Sequence, residues 1–323
     1  MKTIFLFLVY KNPEMVRHTC TLLSGDEVYF YIHVDLKSKD NWEDLRNIKN
    51  LSFLKKRYNS TWGGPELVYA TISGIKEICE QHEDGHIVLM SESDYPVKSL
   101  NYIKEYLNTN DVDYIKISPL PCFNPLGTPC SFWLEGGMRR VNCYALRLTS
   151  KQIATIEPRK LNWGNCRQFG KVLLYKPAMI TGAVRFFFKQ KRNIPAGLKC
   201  YCGGDQWFVL RLSTGRKMLE LLQRSPQLLN EAKYIECVDE IFFPTVVNHL
   251  IPKEEVVSSA LRFVNWPENG QSNSPAYLTM NDRSKRDAQI DNKDVLFVRK
   301  IEDREMVDYI DERIYGRINQ SSF

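Results

Sequence analysis

The chain has no apolar run near the roughly 18 residues that a membrane-spanning helix requires. Its nearest approach, "IFLFLVY" at residues 4–10, is short, has no small-residue cleavage site after it and leads straight into "KNPE". It reads as a buried first strand instead of a signal-peptide core, so the expected location is the cytoplasm. Neither G-x-G-x-x-G nor G-x-x-x-x-G-K-[ST] occurs, which excludes a dinucleotide turn and a P-loop. Zinc spacing is missing as well. The nine cysteines are odd in number, and Cys200 and Cys202 are separated by one residue where zinc knuckles use two, so reduced cytosolic thiols are expected. There is no basic tail, and Lys and Arg are spread along the chain, so nucleic acid is not an expected partner. No repeat and no flexible linker divides the sequence.

What is present is the profile of a globular protein: 323 residues, 43% apolar and 25% charged, with a net charge of +6 that mildly favours anionic partners. The first third alternates strand and helix. "KTIFLFLVY", "EVYFYIHVD", "SFLKKRY", "HIVLMS" and "DYIKIS" read as strands. "PEMVRHTCTLL", with Pro in its first turn, "PELVYATISGIKEICEQ" and "SLNYIKEYLNT" read as helices. The alternation predicts a largely parallel sheet covered on both faces. Such sheets bind ligands at the carboxyl ends of their strands, which singles out the loops "HVDLKS", "NSTWGG" and "SESDYP". Residues 1–117 are therefore expected to form a Rossmann-like nucleotide-binding half, and residues 118–323 an irregular acceptor-binding and catalytic half of the same domain. In the second half "GRKMLELLQRS" and "VDEIFFPTVVNHL" read as helical. The run "VRFFFKQKRN" reads as a helix with a solvated face of Arg185, Lys189, Lys191 and Arg192; weak peripheral contact with the inner face of a membrane is its alternative.

The segments "IHVD", "TWGGPELVYA", "SESDYPVKS", "GGDQWFVL", "DEIFFPTVV", "LRFVNW" and "LFVRK" occur in that order. Together they resemble the core-2/I-branching β-1,6-N-acetylglucosaminyltransferase family, which includes the peptide O-xylosyltransferases. The resemblance runs from about Lys2 to Lys300 and implies a GT-A-type α/β fold, a UDP-sugar donor, a glycan or glycolipid acceptor, inversion at the anomeric carbon and catalysis without a metal cofactor. Arg299 and Lys300 stand at the family's "RK" position, where cations take over the neutralisation of the leaving diphosphate. Glu240 in "VDEIFF" matches the catalytic carboxylate, with Asp239 its competitor; on a helix the two point about 100° apart. Val34 and Asp35 match the uridine-binding strand end; Trp62, Gly63, Ser93, Asp94 and Arg262 complete the donor side. Asp205 and Trp266 are the acceptor-side residues. Glu135, Arg139 and Arg140 lie where the branching enzymes bind acceptor, without assigned roles. Asp111-Val112-Asp113 imitates a metal motif but precedes its strand, and His33 reads as a satisfied core residue. N-acetylglucosamine transfer from UDP-N-acetylglucosamine is the leading expectation. Transfer of xylose or another UDP-sugar, and non-catalytic nucleotide or carbohydrate binding, are the alternatives.

Overall fold

The computed structural model describes residues 1–123, 134–150, 152–192, 194, 197–266 and 274–316. The N-terminal part runs β1 (Thr3–Val9), α1 (Pro13–Leu22), β2 (Val28–Val34), β3 (Leu51–Phe53), α2 (Glu66–Gln81), β4 (His86–Ser91), β5 (Asp94–Pro96), α3 (Leu100–Thr109) and β6 (Asp113–Ile115). There follow β7 (Ser118–Pro119), α4 (Met138–Asn142), β8 (Tyr144–Arg147), β9 (Ile153–Ile156), α5 (Trp163–Tyr175), α6 (Ile180–Phe188), β10 (Cys202–Gly203) and β11 (Phe208–Arg211). The remainder comprises α7 (Leu212–Arg224), α8 (Gln227–Ala232), α9 (Asp239–Leu250), β12 (Val256–Val257), β13 (Arg262–Val264), α10 (Arg283–Asp291), β14 (Phe297–Arg299) and α11 (Arg304–Tyr315).

β1 is apolar throughout because both of its faces are covered. Ile4, Leu6 and Leu8 point into one core with Val68, Ile75 and Ile78 of α2 and Met218 of α7. Phe5, Phe7 and Val9 point into the other with Val16 and Cys20 of α1 and Ile103 and Leu107 of α3. The main sheet has the order β12-β6-β11-β4-β1-β2-β3. β1 pairs in parallel with β2 and β4, β2 with β3, and β6 with β12; β11 runs antiparallel to β4 and β6. This is the mixed, mostly parallel α/β sheet of a GT-A-like fold, with one reversed strand inserted at its middle.

Two smaller layers complete the architecture. β13, β14 and β5 form a three-stranded sheet, backed by Ile290 of α10 and Met306 and Ile310 of α11. The β8–β9 hairpin packs against α5 and α6 through Tyr144, Ile156, Val172, Ala183 and Phe186.

Three local expectations need correction. "SESDYP" is not wholly a loop: Asp94–Pro96 is a strand, because β14, some 200 residues later in the chain, supplies its partner. "SFLKKRY" is paired as a strand only through Phe53, since beyond Ile32 the carbonyls of Val34 and Asp35 accept from the Arg57 side chain instead of from β3 backbone. The helix in "VRFFFKQKRN" stops at Phe188, and Arg192 is buried, donating to the carbonyls of Val141, Cys143, Glu231 and Tyr234.

Candidate functional site

The carboxyl end of β4 runs through Glu92 and Ser93 directly into β5, so Asp94 begins the small sheet. There it lies in register with Arg299 of β14, which in turn is in register with Val264 of β13. Three adjacent strands thus bring Asp94, Arg262 and Arg299 together. Asp94 is fully buried; its Oδ2 accepts from Ser91 N–H and Oγ (2.7 Å each) and from Arg299 Nη1 (2.9 Å). Its Oδ1 lies 2.8 Å from Arg262 Nε, close enough to pair but not aligned for a hydrogen bond, so the attraction there is Coulombic. Arg262 Nη2 donates to the Leu89 carbonyl at 2.9 Å, and its Nη1 is buried without an acceptor among the described residues. Trp207 lies beneath both guanidinium groups, 4.8 Å from Arg262 and 4.1 Å from Arg299. A buried carboxylate shared by two arginines on an aromatic face fixes Arg299 tightly, because breaking either pair leaves a desolvated charge.

Lys300 follows at the strand end. Its Nζ donates to Ser274 Oγ at 2.6 Å and stands over the Tyr277 ring. Burial, reinforced by Arg299, lowers its pKa. Glu92 lies buried behind these cations, and desolvation pushes its carboxyl up to about 7. Ser93 hydrogen-bonds Glu302, which also pairs with Lys11 and accepts from Tyr277.

A second cluster forms around the start of α9. Glu240 Oε2 accepts from Arg140 Nη1 of α4 and is half-exposed. Asp239 beside it is buried, with Oδ1 unpartnered among the described residues; burial first and Glu240 second push its carboxyl up to about 7. The two acids therefore face different surroundings, as their angular separation on a helix requires.

The "GGDQW" segment joins the clusters. Gly204 N–H donates to the Glu240 carbonyl at 2.9 Å. Asp205 lies 2.9 Å from Lys116 Nζ and acts electrostatically on Arg262. Trp207 is the platform under the arginines. A side chain at Gly204 would meet the Lys116 carbonyl oxygen at 1.9 Å, so only glycine allows this approach.

The other two loops meet at the same end of the sheet. Asp35, at the end of β2, accepts from Lys37 N–H and Ser60 N–H at 2.9 Å each, tying the second loop to the third. Arg57 secures the carbonyls of Val34 and Asp35. Gly63 adopts a positive φ of 62°, and its carbonyl accepts from Cys237 N–H and Arg147 Nη2, placing the exposed Trp62 beside the approach to α9. Trp266 is exposed just beyond β13, next to Asn265, whose N–H donates to the Arg299 carbonyl.

The remaining sequence candidates lie elsewhere. Asp113 is buried at the amino end of β6 and accepts from Arg211 and Thr214, so Asp111-Val112-Asp113 is a helix-to-strand turn holding α7. His33 is buried; its Nε2 accepts from Tyr58 N–H, and desolvation pulls its pKa down to about 4. Sequence reasoning gave no role to Trp207, Ser91, Glu92 or Lys116, and none to Arg140 as the partner of Glu240. Trp207 lay within a quoted motif, but its partners come from strands that the sequence does not juxtapose.

Residues 4–121 match the family model described as Core-2/I-Branching enzyme. Two proteins named Xylosyltransferase oxt, from Drosophila melanogaster and Drosophila pseudoobscura pseudoobscura, are each 28% identical to the chain over 112 residues. The similarity covers 32% of this chain and 13% of each relative's length.

Proposed function

We propose that this chain, whose residues 4–121 match the Core-2/I-Branching enzyme family model, is an inverting glycosyltransferase that uses a UDP-sugar. The observation that carries the reading is the fixed cationic end of β14. Arg299 is held by Asp94, Ser91 and Trp207, and Lys300 follows it, at the strand end where α/β sheets bind ligands. Cleavage of the donor's glycosidic bond puts negative charge on the β-phosphate. Cations already held in place stabilise that charge more than the ground state, without needing to reorganise. Side-chain cations take the neutralising role here, and no metal is required. Arg262 supports Arg299 from behind through their shared Asp94.

Val34, Asp35, Trp62 and Gly63 hold the uridine end, and Ser93 lines the diphosphate side. Glu240 is the general base that takes the proton from the acceptor hydroxyl, its carboxylate positioned by Arg140. Asp205 and Trp266 bind the acceptor, Trp266 by stacking on a sugar face. The transferred sugar is N-acetylglucosamine or xylose. The first follows from the resemblance of residues 2–300 to the branching enzymes, and the second is favoured by the name of both matched relatives.

The test is transfer assayed with a panel of UDP-sugars on the parent chain and on Glu240→Gln. Transfer by the parent, lost in the variant while UDP still binds, is the expected result. A parent chain that binds UDP but transfers no sugar would favour a non-catalytic nucleotide-binding protein.

A further inference from the structure

Between residues 158 and 204 the sequence has ten Lys or Arg and no Asp or Glu. The chain's net charge of +6 is therefore +10 in this stretch and −4 over everything else. Lys and Arg are indeed spread along the chain; the acids are what is missing here. The stretch builds α5 and α6, the outer layer over the β8–β9 hairpin.

The inward faces of both helices are occupied by Val172, Ala183 and Phe186. Their outward faces are not. Trp163 and Leu174 are eleven residues apart, three turns of α5, and so share one face with Arg167 and Gly170. Trp163 is 85% and Leu174 74% exposed, and a side chain added at Gly170 would meet nothing within 4 Å. On α6, Val184, Arg185 and Phe188 share the outer face, with Phe188 68% exposed; Leu161, ahead of α5, is 90% exposed. Among the described residues, Arg159, Arg167, Lys171, Lys176, Arg185 and Lys191 have no acidic partner within salt-bridge distance. Between the two helices' ends lies an open cleft of about 530 Å³, lined by Arg159, Lys160 and Lys191 with Glu157, Pro158 and Gln190.

Large apolar tips set among unpaired cations match one surface best, an anionic lipid bilayer. We infer that α5 and α6 dock the protein peripherally on such a membrane. Trp163, Leu174 and Phe188 enter the interface, the surrounding cations lie on the headgroups, and the cleft takes a lipid phosphate. A second copy of this chain fits poorly, since it would set ten cations against ten. Nucleic acid would use the cations but leave the leucines and Phe188 in water. No helix among the described residues is long and apolar enough to cross a membrane, so the contact is one of surface docking. The inference stands apart from the proposed reaction. If both hold, the docked layer adjoins the site, because Arg192, just beyond α6, donates to the carbonyls of Val141 on α4 and of Cys143 directly after it, and α4 carries Arg140 to Glu240.

The test is co-sedimentation of the full chain with vesicles of phosphatidylcholine alone and of an equal mixture with phosphatidylglycerol. Binding to the mixed vesicles only is expected. Each cation near an anionic surface is worth about fivefold, so Arg167→Glu/Lys176→Glu/Arg185→Glu should lower partition by at least about a hundredfold. Trp163→Ser/Leu174→Ser should remove the binding that survives high salt. Both variants should melt at the parent's temperature, since none of the five side chains packs in the core. Equal partition onto both vesicles, no partition, or parental binding by the charge-reversed variant would overturn the inference. So would a dimer, seen by sedimentation velocity, that Trp163→Ser/Leu174→Ser dissolves while vesicles remain unbound.

Discussion

Arg299 and Lys300 are neighbours in sequence but differ in what holds them, and that difference separates binding from stability. Arg299 shares the buried Asp94 carboxylate with Arg262, whereas Lys300 donates to Ser274 at a half-buried strand end. Removing one member of a buried ion cluster leaves an uncompensated charge, typically about 3–5 kcal/mol. Asp94→Ala, which leaves two cations without their shared carboxylate, should therefore lower stability by about that amount, read by denaturant titration, whereas Arg299→Ala leaves the Asp94–Arg262 pair intact and should cost less. Lys300→Ala should leave the unfolding midpoint almost unchanged while weakening UDP binding. Glu240 and Asp239 make a similar contrast. Loss of a general base lowers rate by about 10²–10⁴-fold, so Glu240→Gln should lose that much in kcat with the Kd for UDP unchanged. Asp239→Asn retains the base and should lose far less; a larger loss in Asp239→Asn than in Glu240→Gln would exchange their roles.

At the scale of elements, the short "GGDQW" connection between β10 and β11 holds the two clusters in place. Gly204→Ala forces its new methyl against the Lys116 carbonyl, and neither backbone can yield without moving β6 or α9. A destabilisation of about 1–3 kcal/mol is expected, with reduced transfer, measured on the same preparation. The sequence made the regular elements of the first third legible. β1 and β4 are strand-length apolar runs because both faces are buried, and the period of α2 shows in Ala70, Ile75 and Ile78. It did not make β5 legible, since "DYP" becomes a strand only when β14 arrives to pair with it. The same non-locality hid the Arg140–Glu240 pair, a hundred residues apart in sequence, and the platform role of Trp207. Residue types at strand ends pointed to the site; the contacts that orient them depend on tertiary pairing, which single-sequence patterns do not encode.

For the whole molecule, buried carboxyls and buried imidazoles among the described residues set opposing pH dependences over nearly the same window, Glu92 and Asp239 on one side and His33 and His86 on the other being shifted furthest. Glu92 and Asp239, raised to about 7, hold protons in the fold that the unfolded chain releases near pH 4, so their contribution falls as pH rises from about 4 to 7. His33 and His86, pulled down to about 4 by burial, are neutral in the fold, so stability is lost as pH drops from about 6.5 to 4. The two pairs partly cancel, and stability should vary little across that range. Glu92→Gln removes one of the raised carboxyls from that balance. It should raise the melting temperature at pH 8 more than at pH 5, by up to about 3 kcal/mol in stability; an equal gain at both values would contradict the buried carboxylate.

The central claim is that positioned side-chain cations, with no metal, neutralise the departing diphosphate. It is tested most directly by calorimetric titration of UDP into the parent chain and into Lys300→Ala, both in excess EDTA. The account predicts binding to the parent without metal, weakened by about 3 kcal/mol or less in the variant, whose fold is unchanged. Binding that appears only when Mn²⁺ or Mg²⁺ is restored, or that Lys300→Ala leaves untouched, would contradict it.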